Sequence, residues 1–373
     1  MSDISQQLVD QIADARDTGG RLAILGHNSK QGFRGQSAGE RFSTCDHHGI
    51  IDYEPGDLVL TARSGTPLVE IEALLADHGQ CLGFEPPRFQ PLRFSATDPA
   101  NLEEPLIQGL GTLGGVVASG VSGPRRPWVG AVRDFVLGVS MVNGLAQRLH
   151  FGGQLIKNVA GFDVPRLMSG SMGSLGLMLD ISVRVLPIRP VDLTLQLEMS
   201  LAAAMKKMIE LQRQPLPLSG LVYHQGILSV RLSGTEQGVA SAESIIGGDH
   251  LVDGAQWWNG LRDHRWDYFL QPEPLWRLSL AAATPLPGFY KADADDDWLI
   301  DWGGAQRWYR GDVCSEQLHD YVAEHGGHMS CFRGPMADQE LRLGDRNLLP
   351  LHQQIKTAFD PPNVFDGSRA KVA

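Results

Sequence analysis

Glycines in this chain are concentrated in stretches whose backbone is suited to hold an anion. They cluster at residues 109–124 and 170–176, a single glycine ends the segment 157–161 between them, and a polar loop at residues 26–30 precedes them all. Glycine permits a positive φ and brings backbone N–H groups close to a ligand, because it has no Cβ. Successive N–H groups exposed in this way form a concave cradle for phosphates. The four segments therefore predict a site for a large cofactor that carries a diphosphate.

A nicotinamide-binding Rossmann fingerprint is the main alternative interpretation of these glycines. A GxGxxG pattern begins at Gly109, and Asp134 follows at the nominal spacing. The residues before it are charged and interrupted by Pro105, which disfavours a buried parallel strand. The residues after it meet Gly120, Gly123 and two prolines, which prevent a long helix. The context therefore disfavours the Rossmann interpretation.

Composition and charge exclude several classes of protein. At 373 residues the chain can bury a sizeable core, and we expect two domains. A net charge of −11 argues against nucleic-acid binding, which requires clustered Lys and Arg. No apolar run approaches the ~18 residues that span a bilayer. The N-terminus lacks the features of a signal peptide, so we expect a cytoplasmic protein.

The cysteines and histidines do not have the spacing of metal ligands. Four cysteines stand far apart with no CxxC, which argues against an iron–sulfur cluster and against a disulfide framework. Twelve histidines include no HExxH. The nearest pair, His325 and His328, flanks two glycines with only Glu324 as a carboxylate neighbour, and closely spaced histidines alone are weak evidence for a metal. We expect no metal, so redox chemistry here requires an organic cofactor.

Periodicity places the first predicted loop between elements of an α/β region. Residues 3–18 have helical spacing and end at two glycines, and residues 22–25 form a short strand that leads into the loop. Residues 57–61 predict another strand, followed by a helix with Thr66 as N-cap and Pro67 at its first position.

Two further strand patterns complete this region. Alternating residues lead to Asn143-Gly144, which predicts a tight hairpin. Residues 177–185 alternate strictly, which predicts a long half-buried strand. Pro187 and Pro190 then mark the end of the first domain.

Residues 191–340 predict a separate α+β unit. Its expected elements are a helix at 201–212, a hairpin turning at Gln225-Gly226, and strands near 276–280, 298–302 and 329–333. Seven of the eight tryptophans lie in this unit; core packing is the favoured interpretation, and an aromatic electron path or substrate wall the alternative. The acidic run at 293–297 lacks the spacing of a calcium loop and predicts a solvated loop.

Several longer motifs resemble those of a known protein family. They include SGPRRPW at 122–128, KNVAGFD at 157–163 and LIDWGG at 299–304, with EPP at 85–87 and RDFVLG at 133–138. Together they resemble the family of FAD-binding E subunits of bacterial glycolate oxidase (glycolate dehydrogenase). More generally the chain is similar to the vanillyl-alcohol-oxidase, or PCMH-type, FAD-binding superfamily. The resemblance extends over nearly the whole chain.

The resemblance implies an α+β fold with a defined domain order. Two α/β subdomains would hold FAD between them, and an α+β cap domain would cover the flavin. It implies a PCMH-type FAD-binding domain at residues 1–190 and the cap at 191–340. Residues 341–373 would then return to the FAD domain.

The resemblance also implies which residues contact FAD. Residues 26–30 match a first pyrophosphate loop and residues 112–123 a second one, while glycines at 161, 173 and 176 match segments that pass the cofactor. Asn28 stands where some relatives attach flavin to a histidine, which predicts non-covalent FAD. The predicted cofactor-binding residues are Gly26, His27, Asn28, Ser29, Lys30, Thr112, Gly114, Gly115, Ser119, Gly120, Ser122, Gly123, Gly161, Gly173, Gly176 and Leu177.

Two cations beside the glycine stretches are the candidates for catalysis, although no catalytic residue is assigned. Arg126 and Lys157, together with Arg125, could bind a substrate carboxylate or stabilise reduced flavin. The alternative is that these cations pair with Asp134 or Asp163, or lie at a subunit interface. The resemblance implies a second FAD-containing subunit and an iron–sulfur subunit as partners, with peripheral attachment to the inner membrane through the complex.

Three functions remain open at this point. The first is an FAD-binding subunit that takes part in oxidising glycolate to glyoxylate and passes electrons towards iron–sulfur centres. The second is a stand-alone flavin dehydrogenase of another small 2-hydroxy acid. The third is a scaffold subunit that keeps the fold but has lost FAD.

Overall fold

The chain forms two large antiparallel sheets, one of five strands before residue 190 and one that contains all eight described strands after it. The computed structural model describes residues 2–30, 38–89, 111–153, 162–311, 313–333 and 348–367. The strands are β1 (Leu22–Leu25), β2 (Glu40–Ser43), β3 (Ile50–Glu54), β4 (Val59–Arg63), β5 (Gln80–Cys81), β6 (Val136–Val142), β7 (Arg148–Gly152), β8 (Leu177–Arg184), β9 (Leu186–Pro187), β10 (Val191–Glu198), β11 (Leu218–His224), β12 (Ile227–Gly234), β13 (Asp249–His250), β14 (Leu275–Ser279), β15 (Trp298–Asp301), β16 (Gln306–Tyr309) and β17 (His328–Arg333).

The helices lie between and outside these sheets. They are α1 (Ser5–Thr18), α2 (Leu68–Asp77), α3 (Leu113–Ser119), α4 (Arg126–Val129), α5 (Val164–Met168), α6 (Leu201–Gln212), α7 (Glu236–Ile246), α8 (Gly254–Arg262), α9 (Asp267–Leu270), α10 (Ser315–Glu324) and α11 (Leu349–Phe359). None of the helices in the described ranges has the length and apolar character needed to cross a membrane.

Strand β8 lies at the centre of the first sheet, whose order is β3-β4-β8-β6-β7. The predicted strand is confirmed, but the prediction of a half-buried one is wrong. Leu179 and Ile181 are buried, and so are Met178 and Ser182 on the opposite face. A strand with neighbours on both sides and packing on both faces needs no exposed polar face.

The N-terminal elements follow the predicted pattern with one shift at the second helix. Helix α1 ends at Gly19 in the left-handed conformation, and β1 has the predicted bounds. Helix α2 begins one residue later than expected, with Pro67 as its N-cap. The Thr66 hydroxyl is engaged elsewhere, because it bonds to the N–H and the carbonyl of Gly49.

The predicted two-residue turn at Asn143-Gly144 is wrong. Strands β6 and β7 do pair, but Val142 faces Arg148, which leaves a five-residue loop. The Asn143 side chain accepts the N–H groups of residues 145 and 147. The Gly144 N–H donates to Phe359 O, so the C-terminal helix holds the loop open.

The second sheet has the order β13-β10-β12-β11-β15-β16-β14-β17, with every pair antiparallel. Helix α6 and the hairpin at Gln225-Gly226 are confirmed. Strand β16 was not predicted. The acidic run forms a 3-10 helical stretch (Ala292–Asp297), in which Asp296 is exposed, as a solvated segment predicts, whereas Asp295 accepts the hydroxyls of Tyr223 and Tyr290.

Most of the clustered tryptophans belong to the hydrophobic core, as the favoured interpretation predicts. Trp258, Trp276, Trp298 and Trp308 are buried, each no more than 7% exposed. Trp302 is different, because its indole N–H donates to Gly123 O, 3.1 Å away, across the boundary between the two halves of the chain.

A buried ion pair also joins these two halves. Arg231 on β12 donates to both Glu85 carboxylate oxygens, at 2.9 and 3.0 Å. The Arg125 N–H adds a third bond to Glu85, at 2.9 Å, and the Arg125 side chain pairs with Asp192. Burial alone would raise the pKa of Glu85, but the charges and hydrogen bonds of Arg231 and Arg125 together outweigh it and the pKa is lowered.

The C-terminal segment returns to β1. Leu22 N donates to Val364 O, and the Asp366 N–H donates to Leu22 O. Lys356 on α11 donates to Ser174 O at 2.7 Å, close to the strand β8.

Removing the charge of Glu85 should destabilise the fold strongly. Glu85→Gln leaves Arg231, only 5% exposed, without its anion, and we expect a loss of about 3–5 kcal/mol in the free energy of unfolding, measured with denaturant. Since the folded pKa of Glu85 lies below its ordinary 4.5, the pair stabilises above that pH and its contribution is lost below it. The difference between variant and wild type should therefore shrink in acid.

The control is Asp17→Asn, which removes the partner of Arg16 in a solvent-exposed pair. We expect no measurable change there, because exposed pairs contribute little. Equal stability of Glu85→Gln and wild type at neutral pH would contradict the role given to the buried pair.

Candidate functional site

A cleft of about 750 Å³ opens where the first predicted loop meets helix α3 and the start of β8. Strand β1 delivers the loop, and Asn28 turns the backbone with φ of 53°. The cleft is lined by Ile24, Leu25, Gly26, His27, Asn28, Ser29, Lys30, Thr44, Ser64, Gly111, Thr112, Gly114, Gly115, Ala118, Ser119, Met172, Gly173, Gly176, Leu177 and Met178.

Two glycines allow the segments around this cleft to approach each other. A Cβ on Gly26 would lie 2.3 Å from Thr112 Oγ1, and one on Gly114 would lie 2.7 Å from Ser64 Cβ. Neither distance is possible without movement of the neighbouring atoms, which belong to the Thr112 side chain at Gly26 and include the Ser64 backbone at Gly114. Glycine at these positions therefore lets the loop and helix α3 pack directly against their neighbours.

The first loop presents donors that the rest of the described chain does not use. The backbone N–H groups of Gly26, Ser29 and Lys30 have no acceptor within the described residues. The Lys30 ammonium lies 3.5 Å from Ser29 Oγ, and no described carboxylate pairs with it. Burial lowers the pKa of Lys30 to about 8. A cation and free N–H groups on one wall fit an anionic diphosphate.

Helix α3 contributes differently from the sequence-based expectation. The Leu113 N–H donates to Thr66 O and the Gly114 N–H to Ser64 O, so these donors are already engaged. The Thr112 hydroxyl accepts the Gly115 N–H. This segment shapes the wall of the cleft, and the donors come mainly from the first loop.

A second pocket, of about 470 Å³, lies next to the first along the chain. Ser119 lines the cleft, and Gly120 lines the second pocket. The pocket is lined by Pro87, Phe89, Gly120, Val121, Ser122, Gly123, Pro124, Leu261, Arg262, His264, Arg277, Asp301, Trp302, Gln306, Trp308 and Phe332. It therefore lies between the glycine-rich loop and the second sheet.

The predicted cofactor residues divide between these two spaces. Those from the first loop, α3 and the start of β8 line the cleft, whereas Gly120, Ser122 and Gly123 line the second pocket. Ser122 Oγ accepts the Val132 N–H at 3.0 Å, so it braces the loop. Gly161 lies outside the described residues.

The two described candidate cations, Arg125 and Arg126, contact partners other than those proposed from sequence. Arg125 pairs with Glu85 and Asp192, not with Asp134. Arg126 lies over the Trp302 ring, 4.3 Å from its centroid, and burial lowers its pKa. Asp134 instead accepts the Ala131 N–H. Lys157 lies outside the described residues.

Sequence reasoning missed the polar residues that the second sheet brings to the second pocket. Asp301, His264, Arg277 and Gln306 come from different strands and loops, and only the LIDWGG motif gave a signal, at Asp301. Within the described part of the chain, no group of three His, Cys, Asp or Glu side chains is placed to hold a metal ion.

Comparisons with known proteins cover the whole chain. The chain is 40% identical to glycolate oxidase subunit GlcE of Escherichia coli over 374 residues, covering 98% of this chain and 97% of that protein. It is 28% identical over 138 residues to glycolate oxidase subunit GlcD of Bacillus subtilis, covering 37% of this chain and 25% of that protein. No protein-family model matches.

A comparison with solved structures supports the same fold. An alkyldihydroxyacetonephosphate synthase superposes with a TM-score of 0.68 at 12% identity, over 99% of this chain and 76% of that one. At this identity the likeness concerns the fold alone. The chain has the predicted α+β fold of the PCMH type.

The contact between Gly114 and Ser64 gives a test of how the cleft is built. We expect Gly114→Ala to destabilise the protein by roughly 1–3 kcal/mol, because the new Cβ overlaps the backbone just after β4. Denaturant unfolding measures the change. Gly115→Ala is the matched control in the same helix, since its Cβ would meet only Thr112 Oγ1, at 3.1 Å, and we expect a smaller effect. Equal losses in both variants would contradict this packing.

Proposed function

We propose, from the premise that this chain belongs to the family of the glycolate oxidase subunit GlcE, that it is an FAD-binding oxidoreductase subunit of a glycolate-oxidising complex. The observation that carries the proposal is the cleft whose first loop offers the Lys30 ammonium and free backbone N–H groups. A scaffold without cofactor would have no reason to keep a cation there without an anion.

FAD is the ligand that we assign to the cleft. When bound, it supplies a two-electron acceptor for a hydride. Residues 26–30 would hold its diphosphate by N–H groups and by the Lys30 charge. The neighbouring glycine-rich residues, among them Gly120 and Gly123, would leave room for the far end of the cofactor at the second pocket. Asn28 has no nucleophilic side chain, so we propose that FAD is not covalently attached.

The domain division that supports this site has three parts in our proposal. Residues 1–190 form the FAD-binding domain, residues 191–340 the cap domain, and residues 341–373 return to the first. The contacts of Val364 and Asp366 with Leu22 support the last assignment.

The partners follow from where electrons can go. All four cysteines are free and separate, so this chain offers no cluster ligands of the usual kind, and we propose that electrons from the flavin pass to another chain. We propose a second FAD-containing subunit and an iron–sulfur subunit as partners. The complex would be cytoplasmic, and peripheral at the inner membrane through those partners.

Lys30 gives a test of FAD binding with a defined pH dependence. Because the anion binds the protonated ammonium, the dissociation constant of FAD should rise as pH increases through about 8. Lys30→Met should weaken binding about 10- to 100-fold at pH 7 and remove that dependence. Titration of the cofactor-stripped chain with FAD, followed by flavin fluorescence, measures both effects.

Lys30→Arg is the matched control, since its charge persists over the whole pH range. It should retain most of the affinity with a flat profile. A folded wild-type chain that is colourless and does not bind added FAD would overturn the proposed function in favour of a scaffold. Bleaching of the flavin of the isolated chain by another small 2-hydroxy acid, and not by glycolate, would instead favour a stand-alone dehydrogenase.

A further inference from the structure

The proposed function assigns no role to the turn that follows strand β15. Asp301 ends the strand, and Trp302, Gly303 and Gly304 then adopt φ of 54°, 62° and 104°. A tryptophan in the left-handed region is strained, and such strain persists only where the surroundings hold it.

Contacts from both halves of the chain hold this turn. The Trp302 indole N–H donates to Gly123 O at 3.1 Å, and the Arg126 guanidinium covers the ring. The fully buried Arg307 donates from Nε to Gly304 O at 3.1 Å. The turn is therefore fixed against the glycine-rich loop at the second pocket.

The second pocket combines a carboxyl, two arginines and an apolar wall; one of the arginines, Arg262, pairs with Asp263. Asp301 and Gln306 face each other across β15 and β16, and Arg277 lies opposite Trp308 on the next strand. Aromatic side chains complete the wall. A pocket of this kind, with few polar groups among apolar ones, suits a small acid.

Asp301 is the proton-exchanging group of this pocket. It is 3% exposed, and Oδ1 accepts the Trp302 N–H at 2.6 Å. Burial raises the pKa of Asp301 to about 7, and the charge of Glu85 adds to the rise. Three weaker contributions oppose it: the Trp302 N–H, the charge of Arg231 and the Gln306 side chain. A carboxyl with a pKa near the working pH can both accept and return a proton.

His264 is a poorer base in the same pocket. Burial, and then the charges of Arg277 and Arg333, lower its pKa to about 3. Its ring stacks on Phe269 at 3.9 Å and 2°. It therefore stays neutral and acts as part of the aromatic wall.

We propose that the second pocket binds a small 2-hydroxy acid with its carboxylate towards Arg277 and its hydroxyl towards Asp301, which accepts the hydroxyl proton. This inference rests on the proposed function, because it requires FAD as the oxidant. The substrate's Cα–H bond breaks with its electron pair leaving as hydride to the flavin. The O–H bond breaks with its proton passing to the Asp301 carboxylate, and the C–O bond becomes a carbonyl. The products are a 2-oxo acid, reduced flavin and protonated Asp301.

Asp301→Asn tests the proton acceptor. It keeps the acceptor for the Trp302 N–H but cannot take a proton. Oxygen-free mixing of the FAD-loaded chain with glycolate should bleach the wild-type flavin at a rate that rises with pH through about 7. The variant should be at least 100-fold slower with no inflection. If Asp301→Asn does not fold, Asp301→Ser retains a smaller acceptor.

Arg277→Met tests the binding of the carboxylate without any turnover. Oxalate has no hydrogen to lose as hydride, and its binding should change the fluorescence of Trp302 and Trp308. We expect at least 10-fold weaker oxalate binding in Arg277→Met and partial recovery in Arg277→Lys. Asp320→Asn, with a side chain 85% exposed on α10, is the control and should match wild type throughout.

Three results would overturn this inference. Two concern the variants: wild-type bleaching with an unchanged inflection in Asp301→Asn, or wild-type oxalate affinity in Arg277→Met. The third is an FAD-loaded chain whose flavin is not bleached by glycolate, which leaves the proposed function intact as an electron relay. A chain without FAD would overturn the proposed function instead, and the oxalate titration alone would then decide the pocket.

Discussion

The ion pair between Glu85 and Arg231 is the contact on which the arrangement of the two sheets depends. Both side chains are largely removed from solvent, and the pair satisfies both carboxylate oxygens. Arg231 also lies over the Trp258 ring at 4.5 Å, which ties it to the core beside β10. The same two charges act on Asp301, one raising and one lowering its pKa. A contact that aligns the halves of the chain therefore also lies within electrostatic reach of Asp301, although burial is what raises the pKa of that carboxyl most.

The elements that sequence predicted well are those whose signals lie within a few residues. Helices Ser5–Thr18 and Leu201–Gln212 have a complete apolar stripe and a local stop or cap, so periodicity alone located them. The predictions failed where a residue forms a hydrogen bond with a segment that is distant in the sequence. The loop at Asn143 widens because its neighbour Gly144 bonds to Phe359, and Asp295 accepts the hydroxyl of Tyr223, 72 residues earlier in the chain. Such partners are not encoded at short range.

The same distinction separates the two parts of the site. The glycine-rich stretches predicted the cleft from sequence alone, because backbone N–H groups that can bind an anion are expected wherever such stretches occur, without knowledge of side-chain partners. The reason that Gly114 must be glycine is Ser64, fifty residues earlier, and this was invisible before the strands were assembled. Asp301 stood in a motif that resembled a family, yet its environment comes from residues of both halves of the chain. The raised pKa of that carboxyl therefore comes from long-range packing and not from composition.

The cost of keeping Asp301 buried argues that it has a role beyond packing. A carboxyl with a folded pKa of about 7 binds its proton more tightly than in the unfolded chain, so stability falls as pH rises from about 4 to 7. Above pH 7 the ionised carboxyl costs the folded state roughly 4 kcal/mol. Asparagine would accept the Trp302 N–H at the same place without this penalty. Oxidation of a hydroxyl requires a proton acceptor, and a buried carboxyl whose pKa lies near 7 can supply one. The penalty for ionising Asp301 in the folded chain is therefore consistent with the proton-accepting role proposed for it.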